Sequence, residues 1–311
     1  MNGRPELEKR GIRLKLPATS ANLGPGFDAV GLALSMYLTV EAWPAEQWSI
    51  EATGRDAGLC SKLEGNLIVD TYLKIAEQVW ADFPALRLTI HNEIPLGMGC
   101  GSSAAAICAA HALADHFGPS SEKAMKHGDA VSVSSASRDE GHPDNVAACW
   151  YGGFTVSATT DQGVKTASFA GNPDWELMLA MQPTALATKE ARALLPETYP
   201  KADAVFNVQR VALLTAAFAQ GRLDLLKTAM QDRMHQPYRE DACPLLKRLL
   251  PLAMEPYIAG VALSGAGPSV LVFLNEGITP LERTQLLIKA GRGIDWLPVR
   301  IAGGLERHVL E

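Results

Sequence analysis

The chain has 311 residues, which predicts about two domains, each large enough to bury a core of its own. Hydrophobic residues make up 47% and charged residues 20% of the sequence, and these proportions exclude an intrinsically disordered chain. The formal net charge of −6 argues against a protein that binds nucleic acid or an anionic membrane through a basic face, but it is compatible with a small phosphorylated ligand.

Cysteine usage and the first residues predict a cytoplasmic protein. The 5 cysteines are scattered and form no C-x-x-C pair, so we expect a reducing compartment and neither a disulfide framework nor a zinc site. Residues 1–10 carry charges without the apolar segment of a signal peptide, and we expect them to be disordered. No apolar run approaches the roughly 18 residues that a membrane span needs.

Hydrophobic periodicity predicts strands and helices in a mixed order. In the first half, we expect strands at 12–16, 36–42, 48–53, 86–90 and 152–156 and helices at 66–80, 102–117 and 122–138. In the second half, we expect strands at 176–181, 257–263, 269–274 and 296–301 and helices at 189–195, 202–220, 223–234 and 279–290. This order favours two α+β domains, at 11–165 and 166–311, over one parallel doubly wound sheet.

A glycine-rich loop, PLGMGCGSSAAA at 95–106, joins a predicted strand to a predicted helix. Gly97, Gly99 and Gly101 let the backbone approach an anion closely, and Ser102 and Ser103 stand where unpaired N–H groups and the positive end of the helix dipole converge. The loop lacks the Walker lysine, and its spacing is not the dinucleotide fingerprint. The segment predicts an anion site, with a simple glycine turn as the alternative.

The segment PATSANLGPGFDA at 17–29 contains a second glycine pattern. Its spacing matches the dinucleotide fingerprint G-x-G-x-x-[GA], but we reject that interpretation because Pro25 has no N–H where a pyrophosphate would need one. The segment is either a surface turn or a loop that presents Asn22 and Asp28 to a polar ligand.

The segment EGHPDN at 140–145 packs four polar side chains around Gly141 and Pro143. Carboxylates of this kind could bind magnesium and hold an attacking hydroxyl in a kinase, although a capped turn explains the pattern equally well. The segment SGAGPS at 264–269 is typical of a hairpin connection. Arg192 and Arg239 have the planar fork that suits a carboxylate.

Taken in order, these segments resemble the homoserine kinase family of the GHMP kinase superfamily. PLGMGCGSSAAA and SGAGPS resemble motifs of the superfamily, while PATSANLGPGFDAVGLAL, EGHPDNVA, TKEARALLP and DRMHQPYR are closer to homoserine kinases than to mevalonate or galactose kinases. The resemblance covers about residues 12–275. It implies an N-terminal domain like domain 2 of ribosomal protein S5, which binds ATP, and a ferredoxin-like α/β C-terminal domain.

The resemblance also implies a reaction, in which ATP and Mg²⁺ serve to phosphorylate the side-chain hydroxyl of L-homoserine in threonine biosynthesis. It assigns ATP binding to Asn66, Pro95, Leu96, Gly97, Met98, Gly99, Cys100, Gly101, Ser102 and Ser103. It assigns substrate binding to Asn22, Asp28, His142, Thr188, Arg192, Arg239 and Gly265. It assigns the metal to Glu140 and Ser103, and catalysis to Asp144, Asn145 and Asp28.

Several alternatives stay open at this point. Asp144 is the candidate general base, but if Asn145 occupies that position the enzyme has no base, and Asp28 serves either catalysis or binding alone. The chain could be another small-molecule GHMP kinase of the mevalonate or sugar type, or a non-catalytic ligand-binding protein of the same fold. A homodimer is expected at the level of the family.

Overall fold

The structure is a computed structural model that describes residues 10–79, 83–118, 129–169, 173–182 and 188–311, and the side chains of Thr188 and Lys189 are not part of the description. The expected disorder of residues 1–10 therefore falls almost entirely outside the described residues. No helix within the described ranges is both long and apolar enough to cross a membrane.

A mostly antiparallel sheet forms one half of the molecule. Its strands are β1 Gly11–Asn22, β2 Gly26–Ala45, β3 Ser49–Gly54, β4 Ala85–Asn92, β5 Phe154–Thr160, β6 Gly163–Phe169 and β11 Glu306–Leu310. The order is β11-β1-β2-β4-β3, with β5 paired to β2 and to β6, and β3 runs parallel to β4. The helices of this half are α1 Ala57–Cys60, α2 Leu67–Gln78, α3 Ser102–Phe117, α4 Asp129–Glu140 and α5 Asp144–Tyr151.

A smaller antiparallel sheet forms the other half. Its strands, in the order β10-β7-β9-β8, are β7 Leu177–Met181, β8 Ile258–Leu263, β9 Val270–Leu274 and β10 Asp295–Val299. The helices are α6 Thr188–Ala193, α7 Lys201–Gln220, α8 Leu226–Ala229, α9 Gln236–Arg239, α10 Pro244–Leu249 and α11 Pro280–Ala290, with 3₁₀ turns at Leu223–Leu225 and Leu250–Met254.

One hydrophobic core joins the two halves. The ring of Phe154 on β5 stacks on that of Phe218 on α7, with centroids 4.0 Å apart, and Trp175 and Phe273 pack around the same ring. Alternation on β4 places Leu86, Leu88 and Ile90 in this core. The mixed α and β architecture expected from the sequence is confirmed.

Two predictions of local structure are wrong. The predicted loop after residue 16 is the continuation of β1, because Ala18, Thr19 and Ser20 are fully buried and paired with β2. The predicted helix 223–234 ends at Ala229, because the carboxylate of Asp232 accepts hydrogen bonds from the N–H groups of residues 234–236 and starts α9 instead. The boundary at 165/166 stays a prediction, although β6 continues to Phe169 and β11 returns to the first sheet.

Candidate active site

The glycine-rich loop adopts a backbone that side chains would not fit. Gly97, Gly99 and Gly101 have φ values of 69°, 72° and 68°, in the left-handed region. A Cβ on Gly101 would lie 1.8 Å from the hydroxyl of Thr19, and one on Gly99 would lie 2.2 Å from the carbonyl oxygen of Ser264, whereas Gly97 faces open space. The tight loop predicted from the sequence is confirmed.

Both halves of the protein hold this loop in place. The N–H of Thr19 on β1 donates to the carbonyl of Cys100 at 3.0 Å, and the hydroxyl of Ser264 donates to the carbonyl of Gly99 at 2.7 Å. SGAGPS does connect β8 to β9 as predicted, and it also braces the loop. Because the carbonyls of Gly99 and Cys100 accept hydrogen bonds from within the protein, the loop can direct its N–H groups toward a ligand.

The loop ends at the N-terminus of α3. Gly101 is the N-cap residue and has no side chain to cap the helix, and no side chain of the described residues accepts from the N–H groups of the first turn. Ser102 and Ser103 occupy that first turn, where the helix dipole is positive. The arrangement favours an anion at this point.

Two cavities meet at Ser102 and Ser103. One, of about 220 Å³, is the polar cavity: it is lined by charged and amide side chains and by the glycine loop. The other, of about 420 Å³, is the apolar cavity, and its walls include Leu38, Ile68 and Ile94. A ligand with an apolar ring and an anionic tail could occupy the second cavity and extend its tail to the start of α3.

Asn66 lines the apolar cavity but already has a structural role. Its side-chain oxygen accepts from the N–H of Ile68 at 3.1 Å and caps α2, and its amide donates to the carbonyls of Cys60 and Lys62 at 3.0 and 3.1 Å. The predicted contact of Asn66 with adenine therefore stays a prediction.

Glu140 meets Ser103 where α4 ends beside α3. The hydroxyl of Ser103 donates to Oε2 of Glu140 at 2.5 Å. Burial raises the pKa of Glu140, the nearby charge of Asp144 raises it further, and the hydrogen bond from Ser103 opposes them. A cation at this carboxylate would relieve the cost of burying its charge.

His142 and Asp144 form a buried pair beside Glu140 and Ser103. Nδ1 of His142 lies 2.6 Å from Oδ1 of Asp144, and the same oxygen accepts the backbone N–H of Asn145 at 2.7 Å. Burial lowers the pKa of His142, but the hydrogen bond to Asp144 and the negative charges around it outweigh burial, so that the pKa is raised. The side-chain oxygen of Asn145 accepts from the hydroxyl of Thr19 at 2.7 Å beneath Gly101.

Asp28 forms an ion pair with Arg192 across the polar cavity. Both oxygens of Asp28 accept from the guanidinium at 2.8 Å, and this pairing raises the pKa of Arg192. Asn22 supports Asp28, because its side-chain oxygen accepts the N–H of Asp28 at 3.0 Å while its amide donates to the carbonyl of Gly265 at 3.0 Å. The sequence predicts that the guanidinium of Arg192 suits a carboxylate, and in the structure that carboxylate is Asp28.

Arg239 lines the same cavity and is only 2% exposed. Its guanidinium donates to the carbonyls of Ala191 and Gly265 at 3.2 and 3.3 Å and lies 3.2 Å from Nδ1 of His235. Within the described residues it forms no ion pair with a carboxylate, and burial lowers its pKa. A buried guanidinium without such a partner favours an anionic ligand.

The structure brings most of the predicted residues together. The predicted residues that line the polar cavity are Asn22, Asp28, Gly97, Gly99, Cys100, Gly101, Ser102, Ser103, Glu140, His142, Asp144, Asn145, Arg192, Arg239 and Gly265. Leu96 and Asn66 line the apolar cavity, and the side chain of Thr188 lies outside the described residues. Sequence reasoning missed Thr19 and His235, although both lie inside segments that carried the resemblance.

The chain is similar in sequence to known proteins. Residues 66–153 match the GHMP kinases N terminal domain, and residues 214–278 match the GHMP kinases C terminal family. A homoserine kinase of Solibacter usitatus is 47% identical over 267 residues, which are 86% of each chain. A homoserine kinase of Deinococcus radiodurans is 36% identical over 306 residues, which are 96% of this chain and 98% of the relative.

Solved structures share the fold. The structure of a homoserine kinase from Cytophaga hutchinsonii matches with a TM-score of 0.76 and 22% identity over 100% of both chains. A galactokinase of Lactococcus lactis, solved with galactose, matches with a TM-score of 0.66 and 12% identity over 95% of both chains. At these identities the likeness shows the fold alone, and that fold serves kinases of different substrates.

Proposed function

Since the chain belongs to the homoserine kinase family, we propose that it transfers the γ-phosphoryl group of ATP to the side-chain hydroxyl of L-homoserine and forms O-phospho-L-homoserine. The observation that carries this proposal is the polar cavity, in which Arg192 and Arg239 lie together while Glu140 and Asp144 lie near the start of α3. A zwitterionic amino acid needs a cationic fork for its carboxylate and acceptors for its ammonium group.

ATP would occupy the apolar cavity and the glycine loop. The adenine and ribose would lie against the walls that include Ile68 and Ile94, and the phosphates would follow Gly97 to Ser103 to the first turn of α3. Because the two cavities meet at Ser102 and Ser103, the terminal phosphate would lie beside the homoserine hydroxyl. Positioning and charge neutralisation then supply most of the catalysis.

Mg²⁺ fits the oxygen donors at the start of α3. Glu140 and Ser103 supply a carboxylate and a hydroxyl that already touch each other. No group of three or more histidine, cysteine or acidic side chains suited to a metal occurs in the described part of the chain, so phosphate oxygens and water would complete the coordination, as is usual for this ion. When bound, the ion would neutralise charge on the phosphates.

The fate of the hydroxyl proton depends on Asp144 and Asn145. Oδ1 of Asp144 is occupied by His142 and by the N–H of Asn145, which leaves Oδ2 as the candidate acceptor of a proton. Asn145 cannot serve as a base, and its oxygen is occupied by Thr19. We assign Asp28, with Asn22, to the substrate-binding wall rather than to proton transfer, because both of its oxygens are paired with Arg192.

An ATP-consumption assay with L-homoserine, mevalonate and galactose as separate acceptors tests the proposal. We expect turnover with L-homoserine and a phosphomonoester product in a phosphorus NMR spectrum. Turnover with mevalonate or galactose alone would identify another GHMP kinase, and ATP binding without turnover would identify a non-catalytic protein. The cytoplasmic location and the homodimer remain predictions from the sequence.

A further inference from the structure

His235 is fully buried between the two halves of the protein. The proposed reaction gives this histidine no role. Its Nε2 lies 2.6 Å from the carbonyl oxygen of Gly24, and its Nδ1 lies 3.2 Å from Nη1 of Arg239. A carbonyl oxygen only accepts and a guanidinium only donates. Nε2 must therefore carry the proton and Nδ1 must carry the lone pair, which defines a neutral imidazole in one tautomer.

The surroundings of His235 support the neutral form. Burial lowers its pKa, and the charge of Arg239 lowers it further, while Asp232, Asp28 and the Gly24 carbonyl oppose them. The carboxylate of Asp232 comes within 3.6 Å of Nε2 but is already occupied by Asn207 and by three backbone N–H groups. Asp232 therefore holds the turn before α9 and leaves Gly24 as the partner of Nε2.

We propose that His235 is a positioning residue, which orients the guanidinium of Arg239 toward the substrate carboxylate by accepting a hydrogen bond at Nδ1. This inference rests on the proposed function. Nε of Arg239 donates to the carbonyl of Ala191, and Nη1 donates to the carbonyl of Gly265. Nδ1 of His235 accepts a further hydrogen bond from Nη1. An imidazolium at this position would repel the guanidinium and would have no lone pair at Nδ1. The ring must therefore be neutral, with its proton on Nε2.

The position of His235 also links Arg239 to the segment that carries Asp28. Gly24 stands between β1 and β2, and Phe27 after it packs against His235 with ring centroids 5.5 Å apart. The guanidinium carbons of Arg192 and Arg239 lie 5.3 and 5.5 Å from the centroid of that Phe27 ring. The imidazole thus fixes Arg239 relative to the opposite wall of the cavity.

Two substitutions separate the roles of the ring nitrogens. An asparagine side chain can place its oxygen near the site of Nδ1, and a glutamine can place its amide near the site of Nε2. His235→Asn therefore keeps an acceptor for Arg239 and loses the Gly24 contact, whereas His235→Gln keeps the Gly24 contact and loses the acceptor.

The test measures KM for L-homoserine, KM for ATP and kcat for both variants and for the control His308→Gln at an exposed position. We expect His235→Gln to raise the KM for L-homoserine by at least about tenfold and His235→Asn by less than about threefold, with the KM for ATP changing little in either. Equal changes in the two variants, or an equal rise in the KM for ATP, would overturn the inference.

A measurement on the wild-type protein covers the case in which a variant does not fold. The ¹⁵N spectrum of histidine-labelled protein should show His235 as the neutral Nε2–H tautomer at neutral pH, and an imidazolium or Nδ1–H form would overturn the inference. Failure of the wild type to phosphorylate L-homoserine would refute the proposed function instead, and the tautomer result would still stand.

Discussion

Asp28 at the start of β2 and Arg192 on α6 form a bidentate ion pair across the polar cavity, with both N···O distances 2.8 Å. The two residues are 164 positions apart in the sequence, and their side chains remain 35% and 42% exposed. A substrate carboxylate that binds Arg192 must compete with Asp28 for the guanidinium, whereas Arg239 already faces the cavity without a carboxylate partner among the described residues. We therefore expect Arg239 to hold the substrate carboxylate first and Arg192 to join it.

Replacing Asp28 by Asn should impair the use of L-homoserine while leaving the unfolding free energy almost unchanged. Because the ion pair is partly exposed, we expect its loss to cost less than about 1 kcal/mol of unfolding free energy. We expect kcat/KM for L-homoserine to fall by more than about tenfold, because Asp28 also lines the substrate cavity. The matched control is Asp224→Asn, which breaks a similar bidentate pair with Arg222 on the exposed surface. Equal activity of the two variants would contradict the assignment of Asp28.

Two of the loop glycines, Gly97 and Gly101, should differ in their tolerance of alanine. In the free protein, Gly97→Ala meets only the strain of a positive φ, about 1–2 kcal/mol, because its Cβ would face open space. Gly101→Ala would also drive a methyl group into Thr19 and displace the N-terminus of α3, so we expect activity to be lost and the melting temperature to fall further. Gly221→Ala, with φ 64° and open space at the end of α7, measures the strain alone. Indistinguishable melting temperatures of Gly97→Ala and Gly101→Ala would refute the packing argument.

These residues show what the sequence could and could not predict. The glycine loop and α3 were predictable because their signals are local: alternating glycines, paired serines and a run of small residues. The contacts of Thr19 with Asn145 and of Asp28 with Arg192 join positions 126 and 164 residues apart, which no local pattern records. A loop is expected from the sequence at Thr19 and Asn22 of β1 for the same reason, since Asn145 and Gly265, which bond to their side chains, are distant in the chain.

Glu140→Gln should stabilise the free protein while abolishing its activity. The raised pKa of Glu140 means that the folded state disfavours the ionised carboxylate, and this cost is fully present at pH values above the raised pKa. A neutral amide removes the cost and can still accept the hydrogen bond from Ser103. We expect a melting temperature at or above that of the wild type near pH 8, and no rise when ATP and magnesium are added.

The wild type should gain melting temperature from ATP and magnesium together, because binding to the folded state alone stabilises it. The exposed Glu51→Gln serves as the control for loss of one charge. A melting temperature of Glu140→Gln below that of both proteins would show that the carboxylate has a structural role instead.

The His142–Asp144 pair should make stability depend on pH. The pKa of His142 is raised in the folded protein, so its contribution is fully present below the unfolded pKa of about 6.5 and is lost as the pH rises through the folded value. The difference in unfolding free energy between wild type and His142→Gln should therefore be larger at about pH 6 than at about pH 9, as measured by urea denaturation. His308→Gln, on the surface, should show no such trend. A difference that grows with pH would have the wrong sign for this pair.

Asp144→Asn tests whether a general base operates. The carboxylate of Asp144 is held through Oδ1 by His142 and by the N–H of Asn145, so its contacts in the free protein position the turn before α5. We therefore expect kcat to fall by about tenfold, far less than the roughly 10²–10⁴-fold loss that follows removal of a general base. The loss should not add to that of His142→Gln in the double variant, because both substitutions disrupt one pair. A loss of kcat beyond about 100-fold, additive with His142→Gln, would instead identify Oδ2 of Asp144 as the acceptor of the hydroxyl proton.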